Sequence, residues 1–336
     1  MLKKLGCCSI PLMEVTKVNI TLMSSLTAGV LLCTPLPVAA QYAHQSVLAI
    51  ETTNTSSPDL LQGKTGAPAV IAGHLRLPKM EGKQAVVILM HGAPAVGGSQ
   101  GTVDAWSRVL NEAGVGTFVV DSFTGRGINT FADVGKISPI SRVNDAYGAL
   151  EVLIKHPLVD ASKIAVMGFS HGGPAAMYSN MRRFKPTSGS EAKFAAHVGV
   201  YGVCNVAYND DVDVNSPVLL LHGSADDWIP SKNCKDYADR LVKAGKNAKY
   251  IEYPDAHHAF DAPRLTQEVK IAQVNSLRKC QLAEAGGGSV INSETKQPFG
   301  PNDPCLEKGV TMGYNEAATK KAHEDVKAFL KGVFGT

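Results

Sequence analysis

The sequence has almost no surplus of charge: 33 Lys and Arg stand against 30 Asp and Glu, a formal net of +3 over 336 residues. The first 40 residues hold most of that surplus, with Lys3, Lys4 and Lys17 against Glu14. A body this near neutrality excludes binding driven by bulk charge, so no nucleic acid or other polyanion is expected as a partner. No Gly-Lys-Ser/Thr follows Gly97, Gly98 and Gly101, and no G-x-G-x-x-G follows an apolar run. Both common phosphate cradles are therefore missing, and nucleotide binding is not expected. H-E-x-x-H and C-x-x-C spacings are absent as well, which argues against a zinc site or a thioredoxin-type redox pair. No internal repeat is visible. Hydrophobic residues at 44% and charged residues at 19% exclude disorder or coiled coil for the whole chain.

Between Lys17 and Glu51 there is no Asp, Glu, Lys or Arg. Within that gap residues 20–33 are mainly apolar, and the stretch ends at Pro35 and Pro37 followed by the small residues Val38, Ala39 and Ala40. The pattern reads as an export signal over residues 1–40, with Met13 an alternative start. A membrane anchor fits less well, since the run is short, two prolines interrupt it and no basic cluster follows. Cys33 follows Leu32, not a small residue, so a lipid anchor is not expected. The expectation is a periplasmic or secreted protein without a stable membrane anchor. Cys204, Cys234, Cys280 and Cys305 remain after the leader, and in an oxidising compartment four cysteines suggest two disulfides.

Residues 41–66 are polar and rich in Ser and Thr, reading as a loose arm or an edge element. A single domain is expected over 67–336. Strands are predicted at 70–77, 85–90, 117–120, 164–167, 195–201, 218–221 and 248–253. Helices are predicted at 102–113, 141–155, 171–183, 231–244 and 319–333. Near-continuous apolar strands alternating with helices argue for an α/β fold, a mostly parallel sheet with helices on both faces. Residues 262–311 break the rhythm, being polar and glycine-rich around Cys280 and Cys305, and read as an insertion packed on the rim before the C-terminal helix.

The sharpest local signal is Gly168-Phe169-Ser170-His171-Gly172, a G-x-S-x-G directly between a predicted strand and a predicted helix. In that setting the serine sits on a tight turn with its hydroxyl raised above the sheet edge and the N–H of His171 aimed at the same space. A nucleophilic serine needs a base, and the base an orienting acid, which in this topology follow in the order Ser, Asp/Glu, His. The strand at 218–221 runs into Asp226-Asp227, and the strand at 248–253 into His257-His258. Each pair offers two candidates on the same sheet edge. A second oxyanion donor is expected after the strand at 85–90, where His91-Gly92-Ala93-Pro94 leaves Ala93 as the donor because Pro94 has no N–H.

Ser170 in Gly-Phe-Ser-His-Gly-Gly, Asp226 in Gly-Ser-Ala-Asp-Asp-Trp-Ile-Pro and His258 in Tyr-Pro-Asp-Ala-His-His-Ala-Phe-Asp resemble the dienelactone hydrolase family of α/β-hydrolases. The resemblance runs from about residue 70 to 261 and resumes after Gly313. It implies the α/β-hydrolase fold. It selects Asp226 over Asp227 as the first residue of D-x-x-[V/I]-P, and His258 over His257 as the histidine of H-[A/G]-F. Dienelactone hydrolases proper carry a cysteine nucleophile where this chain has Ser170, as serine members do. They also hold a substrate carboxylate with two arginines. Arg126 is similar in placement to one, while Ala262 stands where the other would be.

The expected activity is hydrolysis of small carboxylic esters or lactones through Ser170, Asp226 and His258, with oxyanion donors Ala93 and His171 and no cofactor or metal. Arg126, His91 and Trp228 are the expected substrate-binding side chains, with Arg126 favouring anionic substrates. A peptidase of the prolyl-oligopeptidase type, or a non-catalytic module of the same fold, are the alternatives. The disulfides are expected to pair Cys204 with Cys234, whose strand ends are neighbours, and Cys280 with Cys305, which flank the polar insertion.

Overall fold

The computed structural model describes residues 44–94, 99–186 and 188–335, so the expected leader lies outside the described residues. Its central sheet follows from burial patterns written into the strands. Strands β1 (His44–Asn54) and β2 (Ala67–Leu77) form an antiparallel pair joined by the short helix α1 (Ser57–Leu61). The first six residues of β1 alternate half-buried and exposed, as a strand with one wet face must. By contrast β3 (Gln84–Met90) is buried at every residue and runs parallel to β4 (Gly116–Asp121) and β5 (Val159–Phe169). The fully buried β6 (Ala196–Val200) and β8 (Val218–Gly223) continue the parallel set, which ends at the half-exposed β9 (Ala248–Tyr253). The order across the eight strands is β1-β2-β4-β3-β5-β6-β8-β9. A two-residue strand, β7 (Val206–Ala207), lies outside it.

Alternate side chains of the central strands feed two cores. Val86, Ile88 and Met90 point into the one shared with α3 (Val143–Ile154), α4 (Gly173–Tyr178) and α5 (Ser231–Lys243). Val87 and Leu89 point into the other, shared with α2 (Ser99–Glu112) and α6 (Glu316–Phe334). Strands buried on both faces need helices on both faces, and here they have them.

Residues 44–54 form an eleven-residue edge strand, the second of the two readings of that segment. Two features depart from the sequence reading. The helix expected over 171–183 is a 3-10 turn at Ser170–Gly172 followed by only six helical residues in α4. The glycine-rich insertion has strands of its own. β10 (Val269–Ser276) pairs antiparallel with β13 (Glu307–Met312), while β11 (Leu282–Glu284) joins β12 (Val290–Asn292) and β7 in a three-stranded sheet. Cys280 and Cys305 lie at bonding distance inside this insertion, with Cα atoms 5.0 Å apart. Cys204 and Cys234 are likewise paired, also with Cα atoms 5.0 Å apart. Both pairs are the expected ones. Among the described residues no helix is long and apolar enough to cross a membrane.

Candidate active site

The C-terminal ends of β5, β8 and β9 lie along one edge of the sheet, and each carries one member of a hydrogen-bonded chain. Ser170 follows β5 with φ +49°, a left-handed conformation that is costly for a residue with a Cβ. Two glycines make the turn possible. A Cβ on Gly168 would come within 2.1 Å of the Gly172 carbonyl oxygen, and one on Gly172 within 2.1 Å of the Met90 carbonyl oxygen. The serine turn is thereby pressed against the end of β3, where the 91–93 turn begins.

Ser170 Oγ lies 2.8 Å from His258 Nε2, and His258 Nδ1 lies 2.8 Å from Asp226 Oδ2. Asp226 Oδ1 accepts the backbone N–H groups of Trp228 and Ile229 at 3.0 and 2.9 Å. A fourth residue, absent from the sequence reading, completes the carboxylate. His222 Nε2 lies 2.9 Å from the Ile229 carbonyl, which can only accept, so Nε2 carries the hydrogen and shares it with Asp226 Oδ2 at 3.1 Å. Burial alone would push the Asp226 carboxyl up. The charge of His258 and the hydrogen bonds from His222 and His258 outweigh burial and hold it well below the usual carboxylate range.

The two doublets resolve by direction. Asp227 turns away from His258 and accepts the N–H and hydroxyl of Thr311, at 2.6 and 2.8 Å. His257 places Nδ1 2.9 Å from the Ala225 carbonyl and Nε2 3.3 Å from Glu268. The insertion is also tied to these loops. Ser276 Oγ donates to the Asp227 carbonyl, Leu277 N–H to the Trp228 carbonyl, and Met312 bridges to His258.

A cavity of about 490 Å³ opens beside Ser170 and is bordered by Ala93, His171 and Trp228. Of the three expected substrate-binding side chains, only Trp228 borders it. His91 sits behind the turn, where Nδ1–H donates to the Gly92 carbonyl at 2.7 Å and Nε2 accepts the Ser122 N–H at 3.2 Å. Both ring nitrogens are occupied by backbone, so His91 is a turn support. Arg126 is corrected in the same way. It makes a two-point pair with Asp145 at 2.7 and 2.9 Å and donates to Asn54 Oδ1 at 2.7 Å, beside a separate polar cavity. The sequence placed Arg126 past the right strand end, but Asp145 on α3 and Asn54 on β1 claim its guanidinium from a distance in sequence that spacing does not reveal. Replacing Arg126 with Met strands a fully buried Asp145. It is expected to cost about 3–5 kcal/mol of stability, read as a lower denaturation midpoint, with KM for anionic and neutral substrates unchanged relative to each other.

A second buried cation was missed. Arg142, with no exposed surface, donates to the His91 carbonyl at 2.8 Å and lies 3.2 Å from His171 Nδ1, with the Phe123 ring 4.9 Å from its guanidinium. Its one sequence signal was position: it precedes the first turn of α3, where the helix dipole disfavours a cation. Burial, then the charge of Arg142, lowers His91 to about 3 and His171 well below the ordinary histidine value. Burial also lowers His197, on β6 facing α4, to about 4. These rings stay neutral in the folded chain but take protons below about 6.5 when unfolded. The unfolded state therefore binds more protons across that window, so stability falls as pH drops from about 6.5 towards 4. Each such ring contributes up to about 1.4 kcal/mol per pH unit. Thermal melts from pH 7 to 4.5 should show a steep fall, and a flat profile would mean these histidines are not buried neutral.

The sequence profile of the dienelactone hydrolase family matches residues 71–334. The chain belongs to the dienelactone hydrolase family. Its α/β-hydrolase fold is shared with a dienelactone hydrolase-like promiscuous phosphotriesterase from metagenomic libraries. That structure aligns with a TM-score of 0.51 and 16% identity over 86% of this chain and 98% of the other. A "Putative carboxymethylenebutenolidase" of Methylorubrum extorquens is 23% identical over 258 residues, 73% of this chain and 87% of its own. Acylamino-acid-releasing enzyme 1 of Oryza sativa subsp. japonica is 29% identical over 157 residues. The chain spans 20% of that enzyme's length and 33% of the length of acylamino-acid-releasing enzyme 2 from the same plant. Among the described residues of this family member, no group of His, Cys, Asp and Glu side chains is arranged to hold a metal ion.

Proposed function

We propose that this chain is an exported serine hydrolase that cleaves carboxylic esters or lactones through an acyl-enzyme. The observation that carries the reading is the continuous hydrogen-bonded path from Ser170 Oγ through both nitrogens of His258 to Asp226. Its chemistry follows from the donors. His258 Nε2 takes the Ser170 proton as Oγ bonds to the carbonyl carbon, while Nδ1–H donates to Asp226, which stabilises the imidazolium. The carbonyl oxygen becomes an oxyanion facing the N–H groups of Ala93 and His171. Collapse breaks the bond to the alkoxide, which leaves with the proton from Nε2. A water then gives its proton to Nε2 as it attacks the acyl carbon; collapse breaks the bond to Ser170 Oγ, which takes that proton back from Nε2 as the acid leaves. No step calls for a metal or cofactor.

Family membership and the name of the Methylorubrum extorquens relative, which is directed at a butenolide, a cyclic ester, support the ester or lactone bond over the peptide bond. The composition of residues 1–40 and the two cysteine pairs support export. The test is a panel of aryl esters, lactones and peptide amides, with labelling by a fluorophosphonate. Turnover of esters or lactones and labelling at Ser170 are expected. Turnover confined to peptide amides would move the reading to a peptidase, and no labelling at Ser170 would overturn it.

A further inference from the structure

The cavity beside Ser170 is unusual in what borders it: among the described residues, no lining side chain is Asp, Glu, Lys or Arg. Its walls include Phe131, Trp228 and Ile229 and, from the insertion, Leu282, Val290 and Phe299. The lining hydroxyls of Ser57 and Ser138 hydrogen-bond to each other. The two nearby cations are committed elsewhere. Arg126 is neutralised by Asp145, and Arg142 is fully buried behind His171 and the ring of Phe123. A substrate carboxylate placed here would lose its water and find no partner, a large penalty for a charged group.

The cavity also has a direction. Ser170 and both candidate oxyanion donors border it, but His258 does not. A leaving alkoxide must reach His258 Nε2 for its proton, so it departs on the histidine side. The group that stays bonded to Ser170 is the one on the cavity side. At about 490 Å³ the space lies within the roughly 300–1,000 Å³ usual for small-molecule sites and far exceeds what an acetyl group fills.

From this geometry we propose that the substrate is an uncharged ester with an apolar acyl group larger than acetyl, seated between Trp228 and the insertion strands. The proposal rests on the hydrolase reading above and narrows it. It also separates this chain from carboxylate-bearing lactones, for which the sequence had offered Arg126.

The test uses the full chain and 4-nitrophenyl esters with one leaving group. From acetate through butyrate to hexanoate, kcat/KM is expected to rise about fourfold per methylene, roughly 10²-fold in all. The 4-nitrophenyl monoester of adipic acid, similar in length but ending in a carboxylate, should fall at least about 10²-fold below hexanoate. Acetate esters of increasingly bulky alcohols should show no comparable rise. Phe131→Arg, a change at an exposed position on the cavity wall, should raise the adipate-to-hexanoate ratio about tenfold. A flat acyl series, a preference for the acid-ended ester, a steeper dependence on the alcohol, or an unchanged ratio in the variant would each overturn the proposal. Those failures are distinct from failure of the hydrolase reading, which would appear as no ester turnover and no fluorophosphonate label at Ser170, and would remove both.

Discussion

Ser170→Ala is expected to lower ester turnover by about 10⁴-fold or more and to abolish fluorophosphonate labelling, with the melting temperature little changed. The side chain lost is one hydroxyl whose only described hydrogen bond is to His258, while the strained turn that holds it is fixed by Gly168 and Gly172. His258→Ala should be of comparable severity, because among the described residues Ser170 Oγ hydrogen-bonds to no other ring nitrogen. His257→Ala should be far milder, since its ring meets the Ala225 carbonyl and Glu268 at the surface. Measured kcat/KM values ranking His257→Ala at or below His258→Ala would sink the assignment of the base.

Asp226→Asn is expected to cost on the order of 10⁴-fold in kcat and to lower stability as well. The two effects have one origin. All four groups around the carboxylate are donors: two backbone N–H groups on Oδ1 and two histidine nitrogens on Oδ2. An amide has one oxygen and one NH2. If the oxygen keeps the Trp228 and Ile229 N–H groups, the NH2 faces His258 and favours the tautomer that cannot take the serine proton. If the amide is reversed, NH2 opposes two backbone donors in a dry site, at about 1–3 kcal/mol for an unmet buried group. Asn should therefore be worse for kcat than for KM. A variant retaining a tenth or more of wild-type kcat would mean that Asp226 does not orient the base.

Much of this site was legible from sequence because each catalytic candidate is announced by a strand it ends. The buried run before Gly168 placed Ser170, and the apolar runs before Asp226 and His257-His258 put their loops on the same edge. Choosing within the doublets needed the family pattern, since spacing cannot say which way adjacent side chains face. In the structure Asp227 is claimed by Thr311, 84 residues away. The failures share that cause. Arg126 and His91 were placed near the site but are held by partners distant in sequence or by backbone groups. His222 and Arg142 went unremarked because a buried polar side chain is recognised by its neighbours, not by its own identity. The strands of the insertion were missed because short, glycine-interrupted pairs lack the apolar periodicity of core strands.

The ties between the insertion and the acid and base loops set a limit on recombination. Ser276, Leu277 and Thr311 hold the segment around Asp226, and Met312 runs beside His258, while the same insertion supplies Leu282, Val290 and Phe299 to the cavity wall. The insertion is thus no interchangeable cassette. Transplanting the corresponding segment from another family member would alter the aim of Asp226 and His258 along with the shape of the pocket. Chimeras built to broaden selectivity would then lose turnover unless residues 276–277 and 311–312 travelled with the recipient framework.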